Sequence, residues 1–317
     1  MSAGGAVGTA TDLTTSLGEL TLATPVMVAS GCGASGRELD PFLDVAALGA
    51  FVTRSVTLDA RAGGTPPRAG ETAGGLLVDS GLQGPGVQGF LATELPWLAQ
   101  RRVRTVVSIA GETLGEYAEL ARRVGEAPGV AAVEVNLGWP DDAPAGRDSF
   151  KAAKIVSAVR RDMPRGVPVL VKIAPLTHAV VDVARAVVKA GADVVVVGHG
   201  VPGMALDPGS LRPIPAGGGG MLGGPAVHPV TLRCVWEVHA ALPDVPLVAS
   251  GGIRTGRDAL VMLAAGASSV QVGSAVLHDP GAPERVTTEL ADELIHRGLE
   301  EVSSFVGRAH RSEGGPR

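Results

Sequence analysis

The sequence predicts an α/β protein of the (β/α)8 class, a TIM barrel, folded as a single domain. Eight short apolar runs rich in Val and Ala are spaced along the chain, and a helical pattern follows each one. No second block of different composition is present, and 317 residues is an ordinary length for one barrel. A doubly wound open sheet is the alternative fold.

The apolar runs define the predicted strands, and the segments between them define the helices. The strands are predicted at residues 25–30, 50–57, 105–111, 131–137, 167–174, 192–200, 245–252 and 268–275. Helical patterns are clear at 113–127 and 178–192, and another is predicted at 90–102 after a long loop at 58–89. Two helices end in Ala-Gly-Ala, where Gly191 and Gly266 are expected to supply left-handed C-caps.

The barrel is predicted to cover residues 21–308. Residues 1–20 and 309–317 are polar or rich in glycine, so we expect a mobile N-terminal extension and a mobile C-terminal tail.

The bulk composition argues against several classes of partner. A net charge of −5 and a pI near 5.8 give no electrostatic reason to expect binding to nucleic acid or to an anionic membrane. Two cysteines cannot build a disulfide framework, the N-terminus lacks the basic and apolar regions of a secretory signal, and no apolar run reaches the ~18 residues of a transmembrane helix. We therefore expect a cytoplasmic protein.

The carboxyl ends of the predicted strands should form the active site, as in other barrels of this class. Three glycine-rich turns there predict a phosphate site, because glycine lets backbone N–H groups approach a ligand and helix N-termini favour anions. The alternative is that they are only tight turns. The turns contain Gly223 and Gly224, Gly251 and Gly252, and Gly273 and Ser274.

Several polar side chains at these strand ends are candidates for binding or catalysis. Lys172 lies within an apolar strand, so its ammonium needs a phosphate, a flavin carbonyl, a carboxylate or a structural ion pair. Asn136 could bind a planar heterocycle or cap its loop, and His199 could donate a proton or serve as a polar lid residue. Cys32 is interpreted as a packing residue. The sequence contains no metal-ligand spacing and no Gly-x-Ser-x-Gly elbow.

The order and spacing of the motifs resemble the class-1 dihydroorotate dehydrogenases over residues 17–308. The motifs are VASGCG, TRSVT, TPPRAGET, GLQGPG, LPWL, SIAG, EVNLGWP, VKIAP, GGPAVHP, ASGGIRTGRDAL and QVGSAV. GLQGPG and LPWL look closest to the subgroup that works with a separate iron–sulfur and FAD electron-transfer subunit. The resemblance implies an FMN-binding barrel of pyrimidine biosynthesis that oxidises dihydroorotate to orotate by hydride transfer to flavin, and at least a homodimer.

The cofactor half of the family pattern is retained. By resemblance, Ala29, Gly31 and Ser55 line the flavin ring, Lys172 contacts it, and Asn136 lies near flavin and substrate. The remaining cofactor positions match the family's phosphate-binding turns: Gly223, Gly224, Gly251, Gly252, Gly273 and Ser274.

The substrate half departs from the family pattern at five positions. Trp139 stands in place of the catalytic cysteine, and an indole N–H cannot accept a proton near neutral pH. Arg54 replaces a lysine, and an asparagine is replaced at each of Val78, Asp141 and His199. Predicted substrate contacts are therefore Arg54, Asn136, Trp139 and His199, and the candidate proton-transfer groups are His199, Asp141 and Asp142.

Three functions are compatible with this pattern. The first is an FMN-dependent oxidoreductase acting on a small, pyrimidine-like substrate other than dihydroorotate. The second is a genuine dihydroorotate dehydrogenase with a relocated base. The third is a non-catalytic flavoprotein subunit.

Overall fold

A computed structural model describes residues 11–138, 145–175 and 178–311. Its centre is a closed barrel of eight parallel strands that are adjacent in chain order, which confirms the predicted (β/α)8 fold and excludes the open sheet. The barrel strands are Val26–Val28, Ala50–Val52, Thr105–Ile109, Val130–Asn136, Val169–Ile173, Val194–Val197, Leu247–Ser250 and Ser269–Val272.

Alternate residues of each strand point into the barrel, and the others pack against the helices. On the fourth strand, Val133 and Val135 belong to the outer core, whereas Ala132 joins a cluster of apolar side chains inside the barrel. Glu134 and Asn136 follow at the same period of two. The barrel interior therefore changes from apolar at its base to polar at its carboxyl end.

Helices surround the barrel on the outside. They span Gly86–Gly89, Leu95–Gln100, Leu114–Gly125, Ser149–Asp162, Val180–Lys189, His228–Ala241, Gly256–Ala264, Ser274–His278 and Ala282–His296. The predicted helix 90–102 begins as a π-helical segment, Phe90–Glu94, before its α-helical part.

The expectation that a helix follows every strand is wrong for the first strand. Turns and a short 3-10 helix, Val45–Ala47, connect it to the second strand within the part of the chain that is described. This connection contains Gly31 and Gly36 at positive φ and Pro41, none of which favours a continuous helix.

The two predicted glycine C-caps have the expected geometry. Gly191 and Gly266 have φ values of +109° and +114°. In both turns the glycine N–H and the following N–H donate back to carbonyls of the last helical turn, as in a Schellman motif.

A hairpin closes the amino-terminal end of the barrel. Its strands, Thr15–Leu17 and Leu20–Leu22, carry the buried side chains of Leu17, Leu20 and Leu22, which pack against Met27 in the interior cluster. The packed unit thus starts before residue 21, the boundary that the sequence predicts. At the other terminus, the His310 ring stacks on Trp236 at 3.7 Å between centroids, so the packed part of the chain also passes residue 308.

A second, four-stranded antiparallel sheet lies at the carboxyl end of the barrel. Its strands are Val201–Gly203, Gly220–Gly223, Gly75–Val78 and Ala69–Thr72, in that spatial order. The first two come from the connection after the sixth barrel strand and the last two from the long loop after the second. We call this sheet the lid.

No helix in the described ranges is long and apolar enough to cross a membrane.

Candidate functional site

A cavity of about 340 Å³ lies between the carboxyl ends of the barrel strands and the lid. The predicted site residues with described positions all line it, although they come from seven different strand ends and the lid: Ala29, Gly31, Arg54, Ser55, Asn136, Lys172, His199, Gly223, Gly224, Gly251, Gly252, Gly273 and Ser274. Trp139, Asp141 and Asp142 lie outside the described residues. The volume is within the range of small-molecule sites.

Hydroxyl and amide groups form a connected row across the first four strand ends. The Ser55 hydroxyl accepts a hydrogen bond from Asn136 Nδ2 at 3.0 Å, and its Oγ lies 2.9 Å from that of Ser108 and 3.4 Å from that of Ser30. The Gly138 N–H donates to Asn136 Oδ1 at 2.9 Å. The row fixes the Asn136 amide and leaves its second N–H available to a ligand.

Lys172 belongs to a buried triad with Glu134 and Gln271. Its Nζ donates to Gln271 Oε1 at 2.7 Å and to Glu134 Oε1 at 3.3 Å, and Gln271 Nε2 donates to Glu134 Oε2 at 2.7 Å. Glu134 and Gln271 are completely buried. The ion pair was one of the alternatives open for Lys172, and because Lys172 also lines the cavity it does not exclude ligand contact.

The three glycine-rich turns meet at one end of the cavity. A Cβ on Gly223 would lie 3.3 Å from Ser274, so the turns after the sixth and eighth strands are in contact. Gly252 has φ +72°, and a Cβ there would collide with the backbone of His228. Gly31, at φ +82°, has open space where a side chain would project. These positions leave backbone surface exposed to the cavity, as anion-binding turns require.

Arg54 is held by an acidic residue from the π-helical segment. Its Nη2 lies 3.3 Å from Glu94 Oε1, and its buried Nε has no hydrogen-bond partner among the described residues. Burial raises the pKa of Glu94, and the Arg54 guanidinium counteracts part of that rise. The pair reduces the positive charge that Arg54 offers to the cavity.

His199 is a neutral imidazole close to the end of the fourth strand. Burial lowers its pKa to about 4, and the Lys172 ammonium adds to the decrease. Its Nδ1 is buried and finds no partner in the described part of the chain. The ring lies against Gly138, where a Cβ would be 2.7 Å from Nε2.

The underside of the lid is apolar. Val78 pairs with Met221 across two antiparallel strands, and Leu76 pairs with Gly223 two residues further on. These four residues line the cavity.

Among the described groups, no cluster of His, Cys, Asp and Glu could hold a metal ion. Burial also raises the pKa of the Cys32 thiol to about 11, in keeping with a packing role rather than a nucleophilic one.

Sequence reasoning missed five residues of the site: Glu134, Gln271, Glu94, Gly138 and Met221. Glu134 and Gln271 had a usable signal, because each is a single polar residue inside an apolar strand. The others had none, since their role depends on which residues face them in space.

Comparison with known proteins agrees with the fold and with the motifs. The model of the dihydroorotate dehydrogenase family matches residues 12–294. The chain is 42 % identical over 299 residues to "Dihydroorotate dehydrogenase B (NAD(+)), catalytic subunit" of Desulforudis audaxviator, covering 93 % of this chain and 96 % of that one. The protein of the same name from Pelobacter propionicus is 41 % identical over 300 residues, with 93 % and 98 % covered.

A solved structure of dihydroorotate dehydrogenase from Eimeria tenella, in complex with ferulenol, shares the fold at a TM-score of 0.78 and 23 % identity, covering 95 % of this chain and 89 % of that chain. Members of this family are flavoproteins of pyrimidine biosynthesis, and the bacterial relatives are named as catalytic subunits. The chain belongs to the dihydroorotate dehydrogenase family and is an oxidoreductase of the class that acts on CH–CH groups.

Proposed function

We propose that the protein is an FMN-dependent oxidoreductase whose substrate is a small ring other than dihydroorotate. The observation that carries the proposal is the contrast between the two parts of the cavity. The cavity contains the row of hydroxyls, the lysine and the glycine turns that the family resemblance assigns to the cofactor, whereas Val78 and Met221 present an apolar lid surface to the same cavity.

The residues present fit FMN. Ala29, Gly31, Ser55, Asn136 and Lys172 supply small surfaces, hydrogen-bond donors and one ammonium for a planar ring with carbonyl groups. The phosphate would be held at the other end of the cavity by the turns at Gly223–Gly224, Gly251–Gly252 and Gly273–Ser274. When bound, the flavin would supply the hydride acceptor for oxidation of a CH–CH group.

At the substrate end, Glu94 offsets part of the Arg54 charge and Val78 offers no hydrogen bond. The polar groups left there for an anionic pyrimidine are the rest of the Arg54 guanidinium and the neutral side chains of Ser80 and Gln83. A polar ring edge buried against Val78 and Met221 without a partner would lose about 1–3 kcal/mol per group. These contacts favour a ring whose edge beneath the lid is apolar.

The groups available for proton transfer also favour a reaction other than that of the family. The family resemblance assigns Trp139 to the position of the catalytic base, and an indole cannot take a proton from a substrate. His199 is the described candidate, but a pKa of about 4 makes its imidazole a weak base at neutral pH. Asp141 and Asp142 remain candidates from the sequence.

Oxidation of dihydroorotate itself is the second candidate. It is favoured by the names of the relatives, which match over 93 % of this chain. Under this reading His199 or an aspartate would be the relocated base, and the chain would pass electrons to a separate electron-transfer subunit. For either candidate we propose a homodimeric catalytic subunit in the cytoplasm.

Anaerobic absorbance spectroscopy separates the candidates. The purified protein is expected to show an oxidised flavin band that does not bleach when dihydroorotate is added. Val78→Asn, which restores the amide of the family pattern, is the matched variant for the same titration. Bleaching of the wild-type band would establish the second candidate, and a protein that binds no FMN after reconstitution would refute both.

A further inference from the structure

Lys172 lines the cavity, whereas its two partners, Glu134 and Gln271, are completely buried inside the barrel and are not part of the cavity lining. Both oxygens of Glu134 and both amide atoms of Gln271 are used within the triad. An ammonium has three N–H donors, and the triad takes two of them, which leaves one for a ligand in the cavity that Lys172 lines. Lys172 is therefore held from below at two points while it faces the ligand above.

The charge of Lys172 acts on its surroundings in the cavity. Burial raises the pKa of Cys32 and lowers that of His199, and the Lys172 ammonium acts on both groups in addition, opposing the rise at Cys32 and adding to the decrease at His199. The carboxylate of Glu134, 3.3 Å from Nζ, has the opposite sign and is completely buried, so solvent does not screen it. The field that a ligand experiences is thus the sum of a near cation and an anion directly behind it.

We propose that Glu134 is a positioning residue that sets the reduction potential of the flavin through Lys172. This inference rests on the FMN site proposed above. Reduction adds negative charge to the flavin ring, so an isolated ammonium beside the ring would favour the reduced state. Glu134 offsets part of that effect and keeps the potential lower, while its hydrogen bonds fix the direction of the Lys172 N–H.

The test is the two-electron reduction potential of the bound flavin, measured anaerobically against a reference dye. In Glu134→Gln the reduced flavin should be bound at least tenfold more tightly, relative to the oxidised flavin, than in the wild type. A tenfold change corresponds to a rise of about 30 mV. Glu134→Met repeats the test without an amide donor facing Gln271 Nε2, and therefore covers the case in which the first variant does not fold.

A charge swap distinguishes electrostatics from packing. In Glu134→Gln/Gln271→Glu the carboxylate moves to the eighth strand, where the side-chain oxygen already lies 2.7 Å from Lys172 Nζ. The potential should return toward the wild-type value. Ser269→Ala on the same strand removes a buried hydrogen bond to the Pro25 carbonyl and serves as the control, with lower stability and an unchanged potential.

The outcomes separate this inference from the function on which it rests. A wild-type protein without flavin would overturn the proposed function. A flavin-bound protein in which Glu134→Gln and Glu134→Met both have the wild-type potential would leave the function intact and show that Glu134 only balances charge for folding. A swap variant that keeps the raised potential would also contradict the proposal.

Discussion

The His199 ring fills the space above Gly138, so closely that a Cβ on Gly138 would lie 2.7 Å from both Nε2 and Cδ2 of the imidazole. A real Cβ does not approach a ring atom at this distance, so the ring must move if residue 138 carries a side chain. The two positions are thus sterically coupled, and the end of the fourth strand tolerates His199 because Gly138 faces it.

Gly138→Ala should destabilise the protein by about 1–3 kcal/mol, because overpacking forces His199 away from its position. The measurement is a urea denaturation cycle of Gly138→Ala, His199→Ala and the double variant. We expect the loss in the free energy of unfolding of the double variant to be smaller than the sum of the losses of the two single variants, by at least about 0.5 kcal/mol. Gly115→Ala, in an exposed helical turn with no close neighbours, is the control. Additive single changes would show that the ring moves away at no cost.

The stability of the flavin-free protein should depend on pH through His199. Its pKa is about 4 in the folded protein, against 6.5 when the chain is unfolded, so the unfolded state binds more protons between these values. The free energy of unfolding is therefore unaffected by His199 above pH 6.5. It decreases as the pH falls toward 4, by roughly 3 kcal/mol at most.

Urea denaturation of wild type and His199→Asn at several pH values measures this contribution. The variant should lose less stability than the wild type between pH 6.5 and 4, since asparagine does not titrate. His296→Asn, on the exposed end of the last long helix, is the control. Parallel curves for wild type and His199→Asn would contradict the buried, neutral imidazole.

Neither cysteine should react readily in the folded protein. Burial raises the pKa of Cys32 to about 11 and that of Cys234 to about 12, so the thiolate fraction at pH 8 is small. Reaction with a disulfide reagent at pH 8 should be at least tenfold slower than for a free thiol, and denaturation should release both cysteines of the chain. Rapid reaction at Cys32 in the folded protein would indicate an activated thiol in the cavity.

The barrel could be predicted because its strands are buried on both faces and read as continuous apolar runs. The rule that chemistry lies at the carboxyl ends of the strands then places residues such as Lys172 and Asn136 at one cavity. The lid could not be predicted in this way, since Gly75–Val78 and Gly220–Gly223 are four-residue strands without clear alternation that come from distant loops. The partners of Lys172 likewise depend on strand register, because Glu134 and Gln271 are 137 residues apart in the chain.

Val78→Asn should change which ligands the cavity accepts. The side chain lines the cavity opposite Met221, and an amide there would supply a donor and an acceptor where the wild type has neither. Orotate should quench or shift the spectrum of bound flavin in the variant at a concentration at least tenfold lower than in the wild type, since orotate is an anion and a hydrogen bond to a charged group contributes about 1.5–3 kcal/mol. Val78→Leu is the control for shape, because leucine is close to asparagine in shape but has no hydrogen-bonding group. Equal orotate affinity in wild type and both variants would show that the lid surface does not discriminate between substrates. The cause of any altered specificity would then be sought at Trp139 and its neighbours in the sequence.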